Sequence, residues 1–210
     1  MFSALTRFLD RRRLRDPRFL PLFEPCAGGE VVSLDLETTS LDPAQAEILS
    51  IAAVPVDAHG VRLSRRFVRS VRGRGDFGID SIRVHRILPG ESAQGEGLDE
   101  VIDEFLLWLG NRPILGYFIA FDRGLLSRET RRRHGFALPN RSVELAERYR
   151  RSLPVREGHP DQDLRLETIA AKVGLPLMGR HTALGDAVSV GLIYCALQAR
   201  AGLRRQGPGE

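Results

Sequence analysis

The sequence is poor in the residues that build cross-links, zinc sites and membrane spans. Its 210 residues include two cysteines, Cys26 and Cys195, whose spacing suits neither a disulfide framework nor a zinc site. No stretch approaches the roughly 20 consecutive apolar residues that cross a bilayer, and the N-terminus lacks the apolar region of a signal peptide. We therefore expect a cytoplasmic protein without a membrane partner, and a chain of this length fits one domain better than two.

Lysine is almost absent, since Lys172 is the only one, and the positive charge comes from arginine. The formal net charge of +4 is compatible with an anionic partner. An arginine-biased genome explains the same excess equally well, so the composition leaves both interpretations open.

Residues 1–29 differ in pattern from the rest of the chain. Arginines and apolar residues share roughly helical spacing there, which predicts a short basic amphipathic helix with a proline-punctuated tail ending near Pro25. Residues 1–25 could contact nucleic acid, a membrane face or a protein partner, or pack on the domain as a solvated helix. We divide the chain into this N-terminal segment, a main domain over 30–201 and a short tail over 202–210.

The main domain begins with strand patterns and continues with alternating helices and strands. Strands are predicted over 31–38, 48–57, 61–71, 113–118 and 142–145, with a hairpin turn at 57–60. Helices are predicted over 98–109, 121–133, 164–173 and 182–199. This order predicts an α/β domain whose mixed five-stranded sheet, an antiparallel meander plus parallel strands, is flanked by helices.

The first strand, VVSLDLETTS, carries two carboxylates, Asp35 and Glu37, in an apolar pattern. Residues two apart in a strand share a face, so these acids lie side by side while Leu34 and Leu36 point the other way. Such a pair is costly to bury without a cation, and oxygen ligands alone favour Mg²⁺ or Mn²⁺ over zinc. For the pair alone, a strand-end cap and a surface acid are the favoured explanation, so further acids are needed.

Two later segments supply candidate partners. Asp122 follows a predicted buried strand and opens a helix, where it could also act as an N-cap. His181 and Asp186 lie five residues apart at the mouth of the last helix, a spacing that lets both reach one site. Each has a structural explanation as well, because an acid at a helix start favours the helix dipole.

Together, and in this order, these residues resemble the DEDDh family of 3′–5′ exonucleases, of the proofreading DNA polymerase III epsilon-subunit type. The matching motifs are D-x-E-T-T from Asp35, F-D ending at Asp122, and H-x4-D from His181 to Asp186. The resemblance covers about residues 30 to 200 and extends to the flanking stretches 47–54 and 82–85.

The resemblance implies a ribonuclease H-like fold and hydrolysis that releases 5′-mononucleotides from single-stranded or frayed 3′ ends, with DNA favoured. Asp35, Glu37, Asp122 and Asp186 would hold two divalent ions, Mg²⁺ or Mn²⁺, about 4 Å apart. His181 would be the general base, since an imidazole can accept a proton near neutral pH. DNA repair and proofreading are the associated roles.

Substrate contacts are also implied by the resemblance. Thr38 and Thr39 match positions that meet the terminal nucleotide, and His85 matches a position near the substrate. Many members have His-Asn shortly before F-D, whereas this chain has Tyr117 and Phe118. We take Tyr117 as the candidate there, because an aromatic ring can stack on a base.

Alternatives remain open from the sequence. The same five residues would serve an RNA-directed exonuclease resembling oligoribonuclease or ribonuclease T. A non-catalytic nucleic-acid-binding module stabilised by metal is a further hypothesis. A calcium site is disfavoured because no loop has EF-hand spacing. The chain ends soon after the last predicted helix, so polymerase association is not supported, and residues 1–25 are the expected surface for any protein partner.

Overall fold

The computed structural model describes residues 4–73, 94–153, 163–179 and 181–206, which form helices and strands joined by loops. The α-helices are α1 (Ala4–Arg13), α2 (Leu98–Leu109), α3 (Ile119–His134), α4 (Leu145–Ser152), α5 (Leu166–Val173) and α6 (Ala183–Gln206). The strands are β1 (Val31–Thr38), β2 (Ile48–Asp57), β3 (Gly60–Val61), β4 (Phe67–Ser70), β5 (Ile114–Gly116) and β6 (Ser142–Glu144). Short 3-10 helices span Pro17–Phe23 and Leu63–Arg65.

The strands form one mixed sheet in the order β3-β2-β1-β5-β6, with β4 also pairing with β2. β1 is antiparallel to β2 and parallel to β5, and β5 is parallel to β6. The mixed α/β architecture is therefore confirmed. The sheet has six strands rather than five, because the predicted strand over 61–71 is split by the Leu63–Arg65 turn, where polar Ser64, Arg65 and Arg66 break the apolar alternation.

Two hydrophobic layers enclose the sheet. One joins the face that carries Leu34 and Leu36 to α2, α3 and the first 3-10 helix, and the other joins the opposite face to α4, α5 and α6. Major residues of the first layer are Phe19, Ile51, Ile102, Phe105, Leu106, Ile114, Leu125 and Phe136. Within the described residues, no helix is both long enough and apolar enough to cross a bilayer.

The N-terminal segment packs on the domain. Its predicted amphipathic helix is α1, and the following 3-10 helix inserts Phe19, Leu22 and Phe23 into the first hydrophobic layer. The Arg7 guanidinium donates to the carbonyl oxygens of Phe23 at 2.7 Å and Pro139 at 3.0 Å, which fastens α1 to the domain. The core therefore extends into the segment that the sequence pattern set apart as residues 1–29.

Candidate active site

Strand β1 presents Asp35 and Glu37 toward α6. Leu34 and Leu36 are buried on the other face, as alternation predicts. Ser33 shares the face of the two acids, and its hydroxyl donates to the carbonyl oxygen of Ala187 at 2.7 Å. This bond ties the first turns of α6 across the acidic face, so Asp35 is half-buried rather than open at a sheet edge.

The start of α6 is shaped by a close backbone contact. A Cβ atom on Gly185 would lie 2.2 Å from the carbonyl oxygen of Gly179, so only glycine lets the helix approach this loop. Thr182 Oγ1 accepts from the Gly185 N–H at 3.1 Å and donates to the Gly179 carbonyl at 2.7 Å. These contacts fix the turn that carries Asp186. Sequence reasoning gave Gly185 no role, although a glycine beside an acid at a helix start was a usable signal.

Three of the predicted acids meet in one cluster. One carboxylate oxygen each from Asp35, Glu37 and Asp186 lies within 4.8 Å of the other two. Asp122 lies outside this group of three but close behind it, in the first turn of α3, where its Oδ1 accepts from the Leu36 N–H at 3.1 Å. The structure thus brings together carboxylates from three elements that are distant in sequence.

Burial raises the pKa values of Asp35, Glu37 and Asp122, and repulsion by neighbouring acids adds to each shift. Burial, and then the charges of Asp122, Asp186 and Glu37, raise the pKa of Asp35 well above its usual range. The pKa of Glu37 rises to about 7 through burial and the charges of Asp186 and Asp122. Burial also raises the pKa of Asp122, which is 6 % exposed, although its bond from Leu36 opposes the shift. The cluster therefore holds its negative charge at a cost that a cation would offset.

His181 lies at the entrance of α6 beside this cluster. Its backbone N–H approaches Asp186 Oδ2 at 3.3 Å, and its φ of 62° is left-handed, which is uncommon outside glycine. The side chain is half-buried. This contact places the His181 backbone beside Asp186, and the role of the His181 imidazole as general base stays a prediction.

The predicted substrate contacts have other partners. Thr38 Oγ1 donates to the Ser40 carbonyl at 3.0 Å, and Thr39 Oγ1 accepts from the Glu47 N–H at 3.0 Å, so both hydroxyls brace the turn after β1. The Tyr117 hydroxyl donates to the Leu164 carbonyl at 3.1 Å and its ring packs on the second hydrophobic layer. His85 lies outside the described residues. For these four positions the role in substrate binding stays a prediction.

Phe118 was not among the predicted site residues. The structure leaves it 67 % exposed at the N-terminus of α3, one turn before Asp122. It adopts a left-handed conformation, with φ 55° and ψ 34°, which ends β5 two residues before the predicted limit of 118. Glu144 holds this corner, since its carboxylate accepts from the N–H groups of Phe118 at 3.1 Å and Ile119 at 3.0 Å.

Known proteins resemble the chain in sequence over most of its length. The RNase_T family model, described as exonuclease, matches residues 32–194. DNA polymerase III subunit epsilon of Aquifex aeolicus is 26% identical over 179 residues, which cover 85% of each protein. The PolC-type DNA polymerase III of Oceanobacillus iheyensis is 25% identical over 169 residues, or 80% of this chain and 11% of that protein.

Solved structures confirm the architecture. E. coli exonuclease I in complex with a dA16 oligonucleotide superposes with a TM-score of 0.69 at 19% identity, over 84% of this chain and 42% of that one. This chain therefore spans less than half of exonuclease I, and the likeness concerns the fold. Because the family model covers most of the sequence and the acidic motifs fall in the family order, the chain belongs to the RNase_T exonuclease family, among the DEDDh-type exonucleases of the ribonuclease H-like superfamily.

Proposed function

We propose that the protein is a metal-dependent 3′–5′ exonuclease that removes 5′-mononucleotides from single-stranded or frayed DNA 3′ ends. The observation that carries the proposal is the meeting of Asp35, Glu37 and Asp186 oxygens within 4.8 Å, with Asp122 directly behind them. Exonuclease family membership supports hydrolysis of nucleic acid, and the finer statements of direction and substrate are our inference.

The donor set fits hard divalent cations. All the clustered ligands are carboxylate oxygens, which suit Mg²⁺ or Mn²⁺, and burial makes their uncompensated charge unfavourable. Asp35, Glu37 and Asp186 would hold the ions, with Asp122 as the fourth ligand. Two such ions supply the Lewis acidity that activates water and neutralises charge growing on the phosphate.

The chain's own residues position the reaction. Asp186 stands beside the His181 N–H and so fixes the backbone from which the imidazole projects. We assign His181 the role of general base, which would accept the proton of the attacking water, because the carboxylates would be engaged as ligands. Leu36 and Ser33 hold Asp122 and α6 against β1, which keeps the acids in register.

DNA is the favoured substrate because the similar proteins include a DNA polymerase subunit and an exonuclease I bound to a DNA oligonucleotide. A proofreading or repair role follows by the same similarity. A protein partner for residues 1–25 is a separate proposal, supported by Leu5 and Phe8, which remain exposed on α1.

Matched single-stranded DNA and RNA oligomers, labelled at either end and incubated with Mg²⁺, Mn²⁺ or EDTA, test the proposal. With metal, 3′-labelled DNA should release its label as a mononucleotide in the first step, while 5′-labelled DNA should shorten into a ladder. Faster digestion of RNA than of DNA would replace the proposed substrate class. No digestion by folded protein with either metal would refute the activity.

A further inference from the structure

An exposed aromatic residue caps the N-terminus of α3, the helix that carries Asp122. Phe118 is 67 % exposed, and four residues after it Asp122 joins the site through the Leu36 N–H. Four residues make about one helical turn, so Phe118 caps the α3 turn in which Asp122 lies. Large apolar side chains are normally buried. Here the neighbouring Tyr117 ring packs on the second hydrophobic layer, and the Phe118 ring remains exposed to solvent.

The backbone of Phe118 is held in a conformation that its side chain disfavours. Its φ of 55° is left-handed, which a bulky residue without a local polar bond rarely adopts. Asparagine or glycine would adopt it at lower cost. Residues kept in such conformations require support from their surroundings and concentrate at functional sites.

The support is visible in two contacts. Glu144 accepts from the N–H groups of both Phe118 and Ile119, which fixes the backbone at this corner. The Tyr117 and Phe118 rings meet edge-on, with centroids 4.5 Å apart and planes at 60°. Because the Tyr117 hydroxyl is anchored to Leu164, the Tyr117 ring forms a fixed wall against which the Phe118 ring is positioned.

We infer that Phe118 is a base-stacking residue that positions one of the two terminal bases of a single-stranded substrate beside the acidic cluster. The inference rests on the proposed function for its substrate class. Stacking on an aromatic face tolerates any base, since every base has a π-face, so the contact gives affinity and position without sequence preference. The inference assigns to Phe118 the stacking role that the sequence predicted for Tyr117. The hydroxyl and ring of Tyr117 both have partners within the protein.

Binding of fluorescent single-stranded DNA in EDTA tests the inference without requiring turnover. One oligomer is intact, and others carry an abasic site at the last or the penultimate position. We expect Phe118→Ala to weaken binding of intact DNA about fivefold or more, and Phe118→Tyr to restore it. Wild type should bind at least one abasic oligomer more weakly than intact DNA, and Phe118→Ala should lose that discrimination. Phe8→Ala, which removes another exposed ring, on α1, is the matched control.

Phe118→Asn separates this role from a structural one. Asparagine tolerates the left-handed conformation, so the thermal midpoint should stay or rise while DNA affinity falls. Unchanged affinity in the Phe118 variants, or an equal loss in Phe8→Ala, would overturn the inference. Wild-type protein that binds no single-stranded nucleic acid would instead refute the proposed substrate class.

Discussion

At the scale of single residues, the backbone conformation of His181 restricts which residues can replace it in a test of its side chain. The left-handed φ of 62° means that a replacement must tolerate this conformation, which asparagine does. We expect His181→Asn to lower kcat about 100-fold, because the general base is lost, and to leave Mn²⁺ affinity nearly unchanged. Steady-state kinetics and calorimetric Mn²⁺ titration check this. A parallel loss of Mn²⁺ affinity would make His181 a ligand.

Glu144 is a second residue for which the structure predicts a single effect, here on the free energy of unfolding. Its carboxylate accepts three backbone N–H groups, from Phe118, Ile119 and Ala146, and so joins the starts of α3 and α4. Glu144→Gln converts one accepting oxygen into a donor, so the free energy of unfolding should fall by about 1–2 kcal/mol. Urea denaturation measures the change.

Glu147 provides the control for that substitution. It lies in the first turn of α4, the helix that Glu144 caps, and pairs with Arg150 and Arg151 at the surface, where ion pairs contribute little. Glu147→Gln should therefore leave the free energy of unfolding nearly unchanged. Equal losses of unfolding free energy in the two variants would show that Glu144 does not stabilise the backbone at Phe118 and Ile119.

At the scale of elements, the approach of α6 to the loop before it sets the position of Asp186. Gly185→Ala would place a Cβ atom 2.2 Å from the Gly179 carbonyl oxygen, so the helix start must move. We expect activity to fall about tenfold or more and the free energy of unfolding to fall by about 1–3 kcal/mol. Gly124→Ala on α3, where a Cβ meets nothing within 4 Å, should leave both unchanged or slightly raise stability. Wild-type behaviour of Gly185→Ala would contradict this packing argument.

Elements with strong periodicity could be predicted from the sequence to the residue. β1, β2 and α2 begin and end where alternation and helical spacing place them. The helix α4 was not predicted, because half of its residues are charged and only Leu145 and Tyr149 are buried, and its start depends on Glu144 as N-cap. β5 ends early, at Gly116, because the left-handed conformation of Phe118 turns the chain. No pattern in the sequence predicts that conformation.

At the scale of the whole molecule, stability is linked to pH and metal. Unfolded carboxyls bind protons with pKa values of about 4, whereas burial and repulsion raise the pKa of folded Glu37 to about 7 and also raise those of Asp35 and Asp122. Between these values the folded state holds more protons, so these groups lower the free energy of unfolding as pH rises from about 5 to 7. Mn²⁺ should offset this loss, because it binds the ionised acids.

Denaturation in EDTA across that pH interval checks the linkage. Asp122→Asn keeps an oxygen to accept from Leu36 and removes one buried charge, so its stability should fall less steeply with pH than that of wild type. An equally steep fall in both proteins, or a rise of stability with pH in wild type, would contradict the cause given for the pKa shifts.

The meeting of distant acids is the part of the site that local patterns could not supply. Alternation fixed which face Asp35 and Glu37 share, but their distance from Asp186 depends on α6 crossing that face, which is a tertiary arrangement. The family resemblance supplied that link. For residues 1–25 the sequence left packing on the domain as one of several possibilities, and Phe19, Leu22 and Phe23 realise it.

Metal-dependent digestion by wild type and Asp186→Asn tests most directly whether the acidic cluster is a nuclease site. With 5′-labelled single-stranded DNA and Mn²⁺, wild type should produce a ladder shortened from the 3′ end, and EDTA should abolish it. Asp186→Asn should be about 100-fold slower or more, while Glu100→Gln, an exposed acid on α2, should match wild type. Digestion by Asp186→Asn at the wild-type rate, or digestion that persists in EDTA, would contradict the account.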